Sequence, residues 1–195
     1  VEELRFDSIG PSVGQTLRRS SMTALILVLV MIIVYVAWSF RSVSRPVQSW
    51  KYGLMTVFSG LYAVMVAVGV AALAGEINGL VVDAAFVAAI LTILGYSVND
   101  TIVVFDRIRE QLKHQDRNFE GTVEAAVRQT MARSINTNLA TLLALVAILF
   151  FGGETVFNFV LILIVGILTS TCSSIFLASP LLVTWQQWAA RRNSK

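Results

Sequence analysis

Apolar positions in this chain run in blocks far longer than the core stripes of soluble helices, and each block is cut off by a polar or charged stretch. Five blocks stand out: Met22–Phe40, Tyr52–Ala74, Leu80–Phe105, Arg133–Phe151 and Val156–Trp185. Crossing a hydrocarbon core of about 30 Å takes roughly 20 helical residues, and each block is near or above that length. The pattern predicts an all-α polytopic membrane protein with five transmembrane helices. None of the first four blocks contains proline. Pro180 falls near the end of the fifth, where a kink or a stop is tolerated.

The stretches between the blocks alternate in charge. Arg41 to Lys51 carries basic residues and no acid, Asp106 to Ala132 carries Arg107, Arg109, Lys113, Arg117 and Arg128, and the tail ends in Arg191, Arg192 and Lys195. The links "GEING" (Gly75–Gly79) and "GGET" (Gly152–Thr155) contain no basic residue. Basic loops stay on the cytoplasmic side, so the C-terminus is expected inside and the N-terminus outside. Arg18 and Arg19 break that pattern; a long translocated domain upstream would explain them, because charge counts weakly beside such a domain. "DSIGPSVGQTLRRSS" reads as the exit from one, a Gly-Pro turn followed by a polar helix start.

The expected organisation is therefore a junction over residues 1–20, a transmembrane bundle over 21–188 with a cytoplasmic link over 106–132, and a basic cytoplasmic tail over 189–195. Within the link, "TVEAAVRQTM" places Val123, Ala126, Val127, Thr130 and Met131 on one helical face, with Glu124, Arg128 and Gln129 opposite. That is the pattern of a short amphipathic helix on the membrane surface or of an ordinary solvated hairpin.

Composition agrees. Of 195 residues, 56% are hydrophobic and only 14% charged, and mean hydropathy is +0.73; soluble domains carry about a quarter charged residues. The net charge of +3 comes from residues that mostly flank the blocks, which argues for membrane orientation and against nucleic-acid binding. The single cysteine, Cys172, lies inside an apolar block and offers no intrachain disulfide framework. The opening segment has neither the basic start nor the apolar stretch of a signal peptide, so the chain reads as beginning inside a larger protein. No nucleophile is paired with a base, no glycine-rich loop precedes a phosphate-binding helix, and His114 stands alone in a charged linker. Neither enzymatic chemistry nor a metal or other cofactor is expected.

The candidate chemistry lies in "GYSVNDTIVVFDRIRE", Gly95–Glu110, where Asn99 and Asp100 sit side by side at membrane depth. Ionisable groups inside a membrane are rare and face the bundle interior or a wet cavity. Asp100 lies 21 residues after Gly79, roughly 31 Å at 1.5 Å per residue, and Arg133 lies 21 residues before Glu154 on the next block. The two opposite charges are thus expected at matching depth. Tyr96 and Ser97, with Arg107 further along, share the Asp100 face, and Asn136 and Thr137 follow Arg133 by three and four residues. Arginine does not titrate here, so it would be the fixed counter-charge. Asp100 would be the carrier, taking a proton when the pair separates and releasing it on approach. The competing reading is that both residues reach to the interface and anchor helix ends. Asp83 reads as an interfacial anchor, "TSTCSS" (Thr169–Ser174) as small residues permitting close helix packing, and the tryptophans as interfacial anchors.

"LTILGYSVNDTIVVFDRIRE" strongly resembles the fourth transmembrane helix of the SecF family, bacterial protein-export membrane subunits related to the RND superfamily. "DSIGPSVGQTLRRSS" resembles the junction where that family's periplasmic domain returns to the membrane, and "RQTMARSINTNLATLLAL" the start of its fifth helix. The family has six transmembrane helices with a periplasmic domain between the first two. The resemblance therefore implies that the five blocks are the second to sixth helices of an RND-like six-helix bundle, without the first helix and most of the periplasmic domain. It further implies a complex with SecD in the bacterial inner membrane, using the proton-motive force to help preproteins through the SecYEG channel. The family's intramembrane acid falls on Asp100 and its basic partner on Arg133. The alternative is an RND-like proton-driven exporter of a small lipophilic substrate. Membrane lipid is an expected partner under either reading.

Overall fold

The first four apolar blocks extend into helices longer than themselves, and the fifth divides into two helices joined by a wider turn. The structure, a computed structural model, describes residues 11–41, 47–78, 82–114 and 118–193. Its elements are α1 (Pro11–Ser39), α2 (Ser49–Asn78), α3 (Ala84–His114), α4 (Phe119–Phe151), α5 (Glu154–Ser173), a π-helical turn (Ser174–Ala178) and α6 (Ser179–Asn193). Among the described residues, five segments are long and apolar enough to cross a membrane: Gly14–Ser39, Ser49–Glu76, Ala84–Leu112, Phe119–Phe151 and Val156–Ala189. The protein is a multi-pass helical membrane protein.

Local chemistry sets the helix ends and hides stray polar groups. Asp83 Oδ1 accepts from the Phe86 amide at 2.8 Å and Asn118 Oδ1 from the Gly121 amide at 3.0 Å, so both side chains cap helix starts. Inside the spans, Thr56, Thr101 and Thr171 turn their hydroxyls back to the carbonyls of Tyr52, Ser97 and Ile167 at 2.8–2.9 Å. Such back-bonding lets a hydroxyl sit at membrane depth without an unmet donor. Between α4 and α5, Gly153 adopts a φ of 76°, a left-handed conformation suited to glycine.

Three features differ from the sequence reading. "TVEAAVRQTM" is not a separate surface helix: α4 runs unbroken from Phe119 to Phe151, and its buried residues Thr122, Val123, Ala126 and Thr130 already pack against the bundle. Asp83 is a helix cap rather than only an interfacial charge. The fifth span is not a plain helix, because it widens into the π-helical turn just before Pro180. Proline cannot donate to the carbonyl one turn back and crowds it, and a wider turn relieves both problems.

Helices α2, α3 and α5 pack on one another, α4 lies against α3 and α5, and α1 lies mainly along α2. The interior is layered. At the end where α1 meets α2, Val36, Phe40, Tyr52, Met55, Val104, Phe105, Ile108, Val123, Ala126 and Leu182 form one apolar cluster. Phe40 stacks on Tyr52 with ring centroids 5.1 Å apart, and Phe105 meets Tyr52 edge-on at 5.2 Å. Toward the opposite end, Ala63, Val64, Ala67, Ala89, Ile90, Ile93, Leu94, Ile162 and Leu163 form a second. Between them α2, α3, α4 and the last span change character at one level. Thr56 and Ser59 on α2, Ser97, Asp100 and Thr101 on α3, Ser134 and Asn138 on α4, and Ser170, Ser173 and Ser174 near the midpoint of the last span are all buried.

Aromatic and basic residues collect at the first-cluster end. Arg41 lies over the Trp38 ring, Lys51 over Trp185 and Arg192 over Trp188, with centroid distances of 5.4, 5.9 and 5.5 Å. This is the make-up of an interfacial belt.

Candidate functional site

The buried polar layer centres on Asp100, whose side chain belongs to a residue only 3% exposed. Helix α3 presents it because Ser97, Asp100, Thr101 and Val104 fall on one inward stripe, three and four residues apart. Its Oδ2 accepts from Asn138 Nδ2 of α4 at 2.8 Å and from Thr171 Oγ1 of α5 at 3.4 Å. Asn138 Nδ2 also lies 2.8 Å from Thr171 Oγ1. Three helices therefore meet at a single carboxylate oxygen. Around this point the hydroxyls of Ser97, Ser134 and Ser170 and the Oδ1 of Asn138 are buried with no hydrogen-bond partner among the described residues. Behind it, Ser59 of α2 and Ser173 of α5 share a hydrogen bond of 2.9 Å.

Arg133 is not part of this arrangement. No ion pair joins it to Asp100, and Arg133 is exposed on the outward side of α4. It precedes Asn138 by five residues, about 7.5 Å along the axis and about 140° around it. The depth count placed it level with Asp100 because it ran from Gly79 as though every residue rose helically. Helix α3 starts at Ala84, and the preceding Val82 and Asp83 are not helical. From Ala84, Asp100 is 16 residues in, and the residue 16 before Glu154 is Asn138.

The remaining candidates divide. Ser97 is buried in the layer, and Tyr96 reaches α4, its hydroxyl 3.5 Å from Thr141 Oγ1. Asn99, Asn136 and Thr137 are exposed, and Thr137 donates to the Arg133 carbonyl at 2.9 Å. Arg107 is engaged away from Asp100: its Nε donates to Gln129 Oε1 at 2.7 Å and it pairs with Glu110. The side chain of His114 lies outside the described residues. Asn138 and Thr171 went unread. Their signals were the four-residue spacing of Thr130, Ser134 and Asn138, and the hydroxyl run "TSTCSS".

No group of three or more histidine, cysteine or acidic residues among the described residues is arranged to hold a metal ion. A cavity of about 520 Å³ lies elsewhere, an apolar groove between α1, α2 and α3 lined by Leu25, Val64, Phe86 and Ile90 with Arg18 at its edge.

The profile described as "Protein export membrane protein SecD/SecF, C-terminal" matches residues 1–188. The chain belongs to the SecD/SecF family. Within it the resemblance is to the SecF type: the protein translocase subunit SecF of Thermobaculum terrenum is 47% identical over 186 residues, covering 95% of this chain and 58% of that protein. SecF of a Synechocystis species is 40% identical over 193 residues, covering 98% of this chain and 59% of that protein. SecDF of Thermus thermophilus is 37% identical over 186 residues, 94% of this chain and 23% of the longer protein. Among solved structures, SecDF in its super-membrane-facing form matches with a TM-score of 0.75 at 35% identity, covering 96% of this chain and 23% of that one. The chain thus spans a little under three-fifths of the SecF relatives. The five apolar helices and their packing are those of the SecD/SecF membrane bundle.

Proposed function

We propose that this chain is the membrane-embedded part of a SecF-type subunit that, together with SecD, couples the proton-motive force to preprotein movement through SecYEG in a bacterial inner membrane. The observation that supports it best is a buried carboxylate, Asp100, held by the neutral donors Asn138 and Thr171 between two apolar clusters. A carboxylate with no arginine or lysine of the described residues paired to it can exist there charged or neutral, which a structural ion pair could not do. Arg133 enters as a movable counter-charge. To meet Asp100 it must turn inward and shift by about five residues, roughly 7.5 Å, so the pair forms only in a second conformation. Proton uptake at Asp100 is then favoured in the arrangement described above and release in the paired one. The basic ends of α1, α2 and α3 face the cytoplasm under this reading, and the C-terminus lies inside.

The test is preprotein translocation by the full-length subunit with its SecD partner, with and without an imposed proton gradient. Asp100→Asn keeps size and hydrogen-bonding capacity but cannot ionise. It should abolish the gradient-dependent part while leaving insertion and SecD co-purification intact. Full gradient-dependent export by this variant would remove Asp100 from the proton path. A second reading, export of a small lipophilic substrate by the same proton chemistry, draws on the 520 Å³ apolar groove; efflux from vesicles without preprotein transport would favour it.

A further inference from the structure

We infer that the groove between α1, α2 and α3 is a seat for one phospholipid with a phosphoethanolamine headgroup: an acyl chain lies along the groove, the phosphate meets Arg18 and the ammonium faces Glu76. The inference uses neither Asp100 nor the proton reading. It gives Arg18, which breaks the charge pattern of the links, a task of its own.

The floor of the groove is apolar throughout. Leu25 of α1, Val64 and Val68 of α2, and Phe86 and Ile90 of α3 line it. Ser21 lines it too, but its hydroxyl already donates to the Leu17 carbonyl at 2.6 Å. An extended peptide would leave its amides and carbonyls unmet there. On α1 the lining runs from Gly14 to Leu25, eleven residues and about 16 Å of helix axis. A volume of about 520 Å³ over that length gives a cross-section of about 30 Å². A helix about 10 Å across needs roughly 80 Å². The slot takes a hydrocarbon chain and not a further helix.

Its depth suits a lipid of one leaflet. A Cβ on Gly53 would lie 3.0 Å from the Ile33 carbonyl oxygen, so α1 and α2 run antiparallel with position 33 beside position 53. That register sets Arg18 level with Val68, and both line the groove. Val68 lies nine residues from Ser59 of the polar layer, about 13.5 Å. Lys51 of the aromatic belt lies eight residues from Ser59 in the other direction, about 12 Å. Half of a hydrocarbon core is about 15 Å. Arg18 thus stands at the interface opposite the belt, the outer one under the orientation proposed above.

The charges at the mouth complement the headgroup. Arg18 is exposed and has no ion pair among the described residues. Past Val68, Val82 and Phe86 the groove opens into a second cavity of about 350 Å³, which Ala71, Gly75 and Glu76 complete. Glu76 is eight residues beyond Val68, about 12 Å further out. Side chains tilt toward the N-terminus of their helix, so Arg18 tilts outward and Glu76, on the antiparallel helix, inward. The two heads converge on one level without pairing with each other. A phosphate and an ammonium joined by two carbons set each charge against its opposite. The planar fork of arginine takes a phosphate through two N–H donors, and a primary ammonium brings three donors to a carboxylate.

The experiment is photolabelling of the full-length subunit with SecD in liposomes. The probe is a phosphoethanolamine lipid with a photoactivatable group in its acyl chain, and labelled peptides are mapped by mass spectrometry. The expected label falls on α1, α2 and α3 around Leu25, Val64 and Ile90. Val68→Trp fills the groove from an exposed position and should remove it. Arg18→Ala should cut it about fivefold, the upper end for an exposed charge pair. Unlabelled phosphoethanolamine lipid should compete several-fold better than phosphoglycerol or phosphocholine lipids with the same chains, and Glu76→Gln should abolish that preference. Label spread evenly around the bundle, or unchanged in both Val68→Trp and Arg18→Ala, reports bulk lipid only and overturns the seat. A groove closed to the probe, with a cysteine at Val68 cross-linking to another part of the subunit or to SecD, shows that protein covers it and overturns the seat as well. Equal competition by the three lipids overturns the headgroup and with it the proposal as stated.

Discussion

Gly166 of α5 lies directly against Ile93 of α3, so close that a Cβ at position 166 would sit 2.2 Å from Ile93 Cδ1 and 2.3 Å from its Cγ1. Ile93 is fully buried and β-branched, so it has little room to turn aside. This contact sets the separation of the two helices that carry Asp100 and Thr171. Gly166→Ala should destabilise the bundle by about 1–3 kcal/mol, the usual range for overpacking a tight core. Pairing it with Ile93→Ala should restore most of that loss. Thermal unfolding in detergent measures both, and an unaffected single variant would show that the helices separate freely.

Cross-linking distinguishes the partners of Asp100 by state. Cysteines replacing Asp100 and Asn138 should be bridged by a short reagent in the resting complex, since the native side chains are in contact. Cysteines replacing Asp100 and Arg133 should be bridged only when a gradient or a translocating chain is present. Exposed Cys172 is first replaced by serine. Failure of the 100–133 pair in every state rules out direct contact between these residues.

The proposed counter-charge has its own signature. Arg133→Lys keeps a positive charge without the planar fork, and Arg133→Ala removes both. Gradient-driven export should fall further in Arg133→Ala than in Arg133→Lys, with folding stability changed by less than about 1 kcal/mol in either, because the side chain is exposed in the bundle. Equal export by both variants would argue against an electrostatic role.

Ser59 and Ser173 should be energetically coupled. Hydrogen bonds between membrane helices contribute about 0.6 kcal/mol on average; Ser173→Ala removes the hydroxyl that Ser59 meets, while in Ser59→Ala the Ser173 hydroxyl keeps the Ser170 and position-59 carbonyls as acceptors. In a cycle of Ser59→Ala, Ser173→Ala and the double variant, the double should cost less than the sum. Strict additivity would mean that the 2.9 Å contact contributes nothing.

Orientation is checked by impermeant thiol labelling. In a Cys172→Ser background, Val82→Cys should react from outside and Glu124→Cys only after permeabilisation, both side chains being exposed. The reverse pattern would invert the topology derived from the basic links.

Five crossings were legible because hydrophobic length is a one-dimensional property: roughly 20 apolar residues mean a span whatever they touch. Asp100 was legible for a related reason, since a carboxylate at membrane depth is conspicuous in any register. Its partners were not. Reading them needed the true start of α3, which Asp83 sets as a cap, Val82 and Asp83 themselves being non-helical. The count from Gly79 put Arg133, Asn136 and Thr137 level with Asp100, where this arrangement has Asn138. Thr171 was hidden differently: a hydroxyl that can bond its own helix, as it does to Ile167, carries no mark in the sequence of also facing a carboxylate. The hydrophobic face of "TVEAAVRQTM" was read correctly as a face, but periodicity alone does not say whether it meets lipid headgroups or, as here, other helices.

The two apolar clusters on either side of the polar layer have an electrical consequence. Water carries almost no voltage across itself, so a membrane potential falls where the medium is dry. Here the dry material lies above and below Asp100, in side chains such as Ile93 and Leu94 on one side and Val104 and Phe105 on the other, all with no exposed surface. A full crossing is worth about 2.3 kcal/mol per elementary charge at 100 mV, and that sum is divided between the clusters in proportion to the field each one holds. Thinning or wetting one of them would shift the division without touching Asp100. The voltage dependence of proton movement would then be set by the greasy residues that never meet the proton.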